Sequence, residues 1–342
     1  MKGGIVMKIS VLGAGTWGTA LAALLAKNGH EVALWSKIES EIDRLRATGR
    51  HPNLEGAIMP IGIEYTADIG VAIRGSGAVL FVVPSEFLRS TAKEAAKHIT
   101  GDMMLISATK GIERDSLLTM TEVIEDELRK YDGALAPVTV ALSGPTHAEE
   151  VAIGLPTSIV AASDSADAAM RTAQIFRNSC MRVYTNGDVL GVELSGALKN
   201  IIAIAAGILR GVDFGDNAAA MLMTRGIAEI MRLGVRMGAR RETFIGLAGI
   251  GDLIVTCTSH HSRNNRCGLL IGKGKSYAEA RAEIGMVVEG YHALDAAIAL
   301  SERYSVEMPI TRAVYDIIHG GKPPITAIRE LMSRDIKDET LL

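Results

Sequence analysis

The sequence predicts an α/β domain with a doubly wound parallel sheet, followed by an all-α C-terminal domain. Three observations carry this. Up to about residue 185, short β-branched runs alternate with helical patterns. After about Asp188 the chain changes to long Ala-, Leu-, Ile- and Met-rich segments at helical period. Where the first strand meets the first helix stands a G-x-G-x-x-G run. Strands that are apolar throughout and separated by helices belong to a parallel sheet covered on both faces. At roughly 150 residues per domain, 342 residues make two. The predicted boundaries are 1–187 and 188–342.

Taken in order, Lys8–Gly13 is a compact strand, and Trp17–Asn28 is a helix ending at Gly29. Glu31–Ser36 is a second strand, and Ile38–Thr48 a helix stopped by Gly49. Ala78–Val83 is a near-continuous apolar strand ended by Pro84, then Phe87–His98 is helical. Met103–Thr109, Val138–Leu142 and Ser158–Ala162 complete the predicted strands. In the second half, Val189–Leu209, Asn217–Met237 and Gly290–Tyr304 are helical, and another helix begins near Pro309. Pro323 and Pro324 precede a last helix to about Met332, as proline does at helix starts. No fixed-period repeat or low-complexity tract interrupts this order.

Composition excludes several classes. With 48% hydrophobic and 22% charged residues the chain is globular rather than disordered. A net charge of −3, no long basic run and 4% aromatics argue against a nucleic-acid partner, which needs a positive footprint or stacking rings. Three cysteines do not make a secreted disulfide framework, so a reducing cytoplasm is expected. Lys2 and Lys8 before the apolar Ile9–Ala26 stretch superficially match a signal peptide. Glycines interrupt that stretch and amphipathic sequence follows without a processing-like break, so it is taken as a strand and helix. No other stretch has the ~18 uninterrupted apolar residues of a membrane span.

Gly13-Ala14-Gly15-Thr16-Trp17-Gly18 is the run that opens the first helix. The first glycine permits a tight turn, the second lets a pyrophosphate approach the backbone, and the third lets helix and strand pack closely. Helix N-terminal amides then face the negative charge. A Rossmann-type, dinucleotide-binding first domain follows. An NAD-selective site places Asp or Glu at the end of the second strand, where this chain has Trp35-Ser36-Lys37. A cation there accommodates a 2′-phosphate, which leans the reading toward NADPH; a solvated surface lysine fits equally.

Glu193–Asn200 lies in a helix otherwise built of apolar and small residues. Lys199, followed by Ile201, Ile202 and Ile204, is costly to bury as an ammonium unless a carboxylate pairs with it. A lysine so poised takes or gives a proton, whereas one that snorkels to water does neither. Gly246–Asp252 does not fit the dinucleotide pattern and reads as a flexible loop, with Asp252 available to a polyol. The Thr256–Arg266 segment collects hydroxyls, amides and two arginines, which suits phosphate capture. A zinc set of Cys257, His260, His261 and Cys267 matches none of the usual spacings. Gly274-Lys275-Ser276 fails as a P-loop because Leu269 stands where a glycine is required. Two loops after strands, Ala108–Gly111 and Ser143–Ala148, stand where such sheets carry ligand contacts; His147 is read as structural.

These residues resemble those of the bacterial NAD(P)-dependent glycerol-3-phosphate dehydrogenases across nearly the whole chain. The resemblance rests on GAGTWGTALA at 13–22, FVVPSEFLR at 81–89, ATKGIE at 108–113 and SGPTHAEEVAIGLPTS at 143–158. It continues through DVLGVELSGALKNIIAIAAG at 188–207, GDNAAAMLMTRGIAE at 215–229, GLAGIGDLIVTCTS at 246–259, SRNN at 262–265 and MVVEG at 286–290. It implies reversible reduction of dihydroxyacetone phosphate to sn-glycerol 3-phosphate for phospholipid synthesis, an active site in a cleft between the domains, and a homodimer. It further implies Lys199 as proton donor and acceptor on the C2 oxygen, Lys110 beside cofactor and substrate, and Asp252 on the substrate hydroxyls. Gly144, Thr146, Ser262, Arg263 and Asn264 would line the substrate site, the last three gripping its phosphate. Thr16, Trp17, Lys37, Ala148, Arg263, Val287 and Glu289 would touch the cofactor, with Gly13, Gly15 and Gly18 of the fingerprint, Ser36 at the end of the second strand, and Lys110. Departures are His51-Pro52-Asn53-Leu54-Glu55 in place of a tyrosine-leucine-proline turn, His147 for an aromatic residue, Asn265 for a basic or aromatic one, and an extension at 1–6 before a possible start at Met7. Rival readings are a related dehydrogenase with another hydroxy substrate and a silent NAD(P)-binding sensor on the same fold.

Overall fold

The computed structural model describes residues 6–135, 137–336 and 338; residues 1–5 of the amino-terminal extension lie outside them. The chain divides into two units. The first runs to Lys110 and resumes over Thr119–Val189; the second takes Gly111–Leu118 and everything from Leu190. Gly111–Leu118, which the sequence reading left in the first domain, goes with the helices because Ile112 is buried in their core.

The first unit is an eight-stranded sheet with helices. It begins β1 (Lys8–Leu12), α1 (Thr16–Lys27), β2 (Glu31–Trp35), α2 (Glu39–Thr48), β3 (Glu64–Thr66) and α3 (Ile69–Ile73). Then come β4 (Ala78–Phe81), α4 (Ser85–Ala95), β5 (Met104–Ser107), α5 (Met120–Tyr131) and β6 (Thr139–Ser143). It ends with α6 (Ala148–Ala152), β7 (Thr157–Ala162), α7 (Ala166–Phe176) and β8 (Met181–Asn186). The order β3-β2-β1-β4-β5-β6-β7-β8 reverses direction between β1 and β4, which is the switch point of a doubly wound sheet. Ile9, Val11, Leu12, Val79 and Leu80 are fully buried, as strands covered on both faces require.

Three expectations need correction. The sheet is not wholly parallel, because β6 and β7 pair antiparallel. The link between them carries only the five-residue α6, which packs on α1 instead of crossing the sheet, so the chain re-enters from the end it left. Two strands, β3 and β8, are additions. Finally, Gly246–Asp252 is not a loop: Leu247–Gly251 forms a π-helical turn, closed by Gly251 N–H donating to Gly246 O at 3.2 Å.

The second unit holds α8 (Val189–Gly211), α9 (Asp216–Met237) and α10 (Arg241–Phe244) ahead of that π turn. After it come α11 (Asp252–Thr258), α12 (Arg263–Gly272), α13 (Tyr277–Ile284), α14 (Glu289–Arg303), α15 (Pro309–Ile318) and α16 (Pro324–Met332). Helix α8 alone is long and apolar enough to cross a membrane among the described residues, and its whole apolar window is buried. It packs on α12 backbone to backbone. A Cβ at Gly268 would lie 1.9 Å from Ile204 O, and one at Gly207 2.0 Å from Asn265 O. Only glycine permits that approach.

Helices α9 and α15 are joined by a buried carboxylate. Glu229, 1% exposed, accepts the N–H of Ile310 at 2.6 Å, the N–H of Thr311 at 3.2 Å and the Thr311 hydroxyl at 3.3 Å. Burial pushes its carboxyl up to about 7, against the opposing pull of these hydrogen bonds and of Arg232. Because the folded value lies above the unfolded one, this group's contribution to stability is complete below about pH 4.5 and is lost as pH rises through about 7. Glu229→Gln should remove roughly 3 kcal/mol of that decline, which urea unfolding of parent and variant across the window measures. Equal slopes in the two would show that Glu229 does not titrate there.

Candidate active site

In the sheet unit, the glycine turn sits at the switch point. Gly13 has φ +129°, and a Cβ on it would meet Val82 O, just beyond β4, at 2.6 Å. A Cβ on Gly18 would meet Gly13 O at 1.9 Å, so the third glycine seats α1 against the turn. A Cβ at Gly15 meets nothing within 4 Å, leaving that side of the backbone open. Gly15 is also the N-cap of α1 and supplies no side-chain cap. The first-turn amides are therefore left to an incoming anion, which is the fit a dinucleotide pyrophosphate needs.

Other residues gather at the carboxyl ends of the strands. Lys110 follows β5, and its ammonium donates to Gly144 O after β6 at 3.2 Å. Thr146 Oγ1 donates to the same carbonyl at 3.2 Å. Gly144 itself has φ +154°, with Ile159 Cα 3.1 Å from where a Cβ would stand.

In the helical unit, Lys199 on α8 is 5% exposed. Its Nζ donates to Asp252 Oδ1 at 2.6 Å and to Thr256 Oγ1 at 2.5 Å. The Thr256 hydroxyl donates in turn to Asp252 O, one helical turn back, at 2.6 Å. The carboxylate that a buried ammonium demands is thus supplied by the first residue of α11. The π turn delivers it there, and Gly249 allows that turn, since a Cβ would lie 2.0 Å from Phe244 O.

A second polar chain runs alongside. Asn264 Nδ2 donates to Asn200 Oδ1 at 2.9 Å, and Gly290 N–H donates to Asn264 Oδ1 at 2.9 Å. This ties α8, α12 and α14 together around the residue next to Lys199. At the start of α12, Ser262 Oγ caps the helix by accepting the N–H of Asn265 at 3.2 Å, and the exposed Arg263 is its first residue.

Residues 8–169 match the family described as NAD-dependent glycerol-3-phosphate dehydrogenase N-terminus, and residues 188–329 match its C-terminus. The chain belongs to that family. It is 53% identical over 333 residues to glycerol-3-phosphate dehydrogenase (NAD(P)+) 2 of Lactobacillus delbrueckii subsp. bulgaricus, covering 97% of this chain and 98% of that protein. The Enterococcus faecalis glycerol-3-phosphate dehydrogenase (NAD(P)+) is 48% identical over 337 residues, with 97% of each chain covered. The crystal structure of glycerol-3-phosphate dehydrogenase from Coxiella burnetii matches with a TM-score of 0.91 at 37% identity, over 96% of this chain and 99% of that one. As a glycerol-3-phosphate dehydrogenase family member, the chain is an NAD(P)-dependent oxidoreductase.

The remaining sequence candidates fall in different settings for a member of this family. Ser36 is buried; its hydroxyl donates to Glu41 Oε2 at 2.7 Å and accepts the N–H of Ile38, so it shapes the turn after β2. Lys37 points to solvent, 3.9 Å from Glu94. Trp17 and Thr16 are half-buried in the first turn of α1, and Ala148 is buried at the start of α6. Val287 and Glu289 are half-buried around the start of α14. The divergent 51–55 loop reaches the glycine turn, where Asn53 Nδ2 lies 3.5 Å from Thr16 Oγ1. Asn264 is 8% exposed, with its amide Nδ2 donating to Asn200 and its Oδ1 accepting from Gly290.

Cys257 and Cys267 are buried and their thiols pushed up to about 12 by that burial, which keeps them protonated. Thr256 was missed as a partner of Lys199. Its signal was available: it stands four residues after Asp252, on the same helical face.

Proposed function

We propose that this chain catalyses the reversible reduction of dihydroxyacetone phosphate to sn-glycerol 3-phosphate with NAD(P)H, ahead of glycerophospholipid synthesis. The observation that carries the chemistry is the buried Lys199 ammonium, fixed by Asp252 and Thr256. The bound dinucleotide supplies the hydride that C2 of the substrate receives. Lys199 donates a proton to the C2 oxygen as that carbon is reduced, and takes it back in the reverse direction. Asp252 holds the ammonium in place and receives the substrate hydroxyl. Lys110 stabilises the negative charge that develops on the oxygen, with Gly144 and Thr146 lining the same part of the site. Holding both reactants in register supplies much of the rate.

Gly13, Gly15, Gly18, Thr16 and Trp17 would hold the pyrophosphate turn. Ser36 and Lys37 would face the adenosine ribose, and the Lys37 charge favours NADPH. Ala148, Lys110, Arg263, Val287 and Glu289 complete the cofactor contacts in this reading. The substrate phosphate is assigned to the N-terminus of α12, where helix amides, the Ser262 hydroxyl and the Arg263 guanidinium meet, with Asn264 beside them. The protein would work as a cytoplasmic homodimer.

Removing the guanidinium tests the phosphate assignment. Arg263→Ala should raise the KM for dihydroxyacetone phosphate by about 10- to 100-fold, with a smaller change in kcat. Steady-state rates over a substrate series measure both. An unchanged KM would mean the phosphate is held elsewhere.

A further inference from the structure

Helices α8, α9, α15 and α16 enclose a half-open cavity of about 430 Å³ that the proposed reaction does not use. Its walls are aliphatic, among them Ile208, Leu222, Val314, Ile317 and Ile328. That size and lining are those of a pocket for a small molecule. One wall is charged. Arg225, Glu229 and Arg232 follow at i, i+4 and i+7 on one face of α9, and all three line the cavity.

The three charges are not equivalent. Both carboxylate oxygens of Glu229 are occupied by the start of α15. Arg225 makes no hydrogen bond or ion pair among the described residues. Arg232 reaches Glu307 O at 3.5 Å through Nη2, while its Nε is buried with no hydrogen-bond partner among the described residues. A buried guanidinium N–H without an acceptor is costly to keep. Of the other charged lining residues, Arg334 is already paired to Glu307 at 2.9 Å, and Asp335 and Asp338 repel an anion. An anionic head group is thereby directed to the α9 arginines and its apolar part to the aliphatic wall.

We propose that this cavity binds an amphipathic anion, an aliphatic chain ending in a carboxylate or phosphate, with Arg225 and Arg232 holding the head group. Calorimetric titration of the full chain with decanoate and with decyl phosphate, each below its micelle concentration, tests this. Decanol supplies the chain without the charge, and inorganic phosphate the charge without the chain. Saturable binding of one or both amphiphiles is expected, with decanol and phosphate at least tenfold weaker; the stronger amphiphile identifies the head group. Arg225→Gln combined with Arg232→Gln should weaken that binding at least tenfold while dinucleotide binding, which reports an intact fold, is unchanged. Absence of saturable binding, or equal affinity in the double variant, would overturn the proposal. So would a second copy of the chain filling the cavity, seen in sedimentation as a dimer that Arg225→Gln combined with Arg232→Gln breaks and the amphiphiles leave intact.

Discussion

Lys199→Ala should lower turnover of dihydroxyacetone phosphate by about 10²- to 10⁴-fold or more while dinucleotide affinity stays within a factor of two. The reason is local. Lys199 is the ammonium that Asp252 and Thr256 hold in a buried setting, and none of the three belongs to the glycine turn. The variant also leaves Asp252 as a buried carboxylate without its partner, a loss of roughly 3–5 kcal/mol. Stability and chemistry must therefore be separated. Lys199→Ala together with Asp252→Asn removes both charges, and should recover most of the stability without recovering turnover. Urea unfolding and single-turnover rates on the same samples provide the two readouts. Near-normal turnover in either variant would end the assignment of Lys199.

The glycine turn gives the second large effect, through a contrast between two positions three residues apart. Gly18→Ala places a methyl group 1.9 Å from Gly13 O, so α1 must move away from β1. A loss of at least ~3 kcal/mol is expected, with the dinucleotide site distorted as a consequence. Gly15→Ala meets nothing within 4 Å, and Gly15 already has φ −67°, which alanine adopts freely. Its stability should change by less than about 1 kcal/mol, yet NAD(P)H affinity should fall about tenfold or more, because the methyl group stands on the open side where the pyrophosphate is assigned. Fluorescence titration with NADPH, paired with thermal unfolding, separates the two. Full affinity in Gly15→Ala would place the dinucleotide elsewhere.

Much of this was legible in the residues, for identifiable physical reasons. Apolar strands such as β4 and long apolar helices such as α8 carry their own periodicity, and both lie where expected. Edge strands do not. β3 has three residues, and β8 (MRVYTN) alternates against solvent with arginine and hydroxyls, so neither has the apolar run that marks a central strand. Two helices were readable from their starts and were not assigned: α5 opens on a Thr119 and Glu122 capping box, and α7 on a Ser165 cap. The π turn was hidden because three glycines look like freedom, when in fact Gly249 is required by close contact with Phe244.

The site divides in the same way. The glycine turn is a contiguous motif and shows itself in sequence. Lys199 was visible as a charge among isoleucines, but its partner lies 53 residues away, and no local pattern links α8 to α11. The same holds for Asn200, Asn264 and Gly290, three residues on three helices joined by side-chain and backbone hydrogen bonds. What permits those meetings is the close crossing of α8 and α12, in which Gly207 lies against the backbone of Asn265 and Gly268 against that of Ile204 only once both helices are placed.

The most direct measurement is oxidation of the reduced nicotinamide, followed by its near-ultraviolet absorbance, when the purified chain meets dihydroxyacetone phosphate, run in parallel with NADH and NADPH. The account predicts a fall in absorbance matched mole for mole by sn-glycerol 3-phosphate, faster with NADPH, and absent in Lys199→Ala. Tight cofactor binding with no absorbance change on addition of that triose phosphate would contradict it.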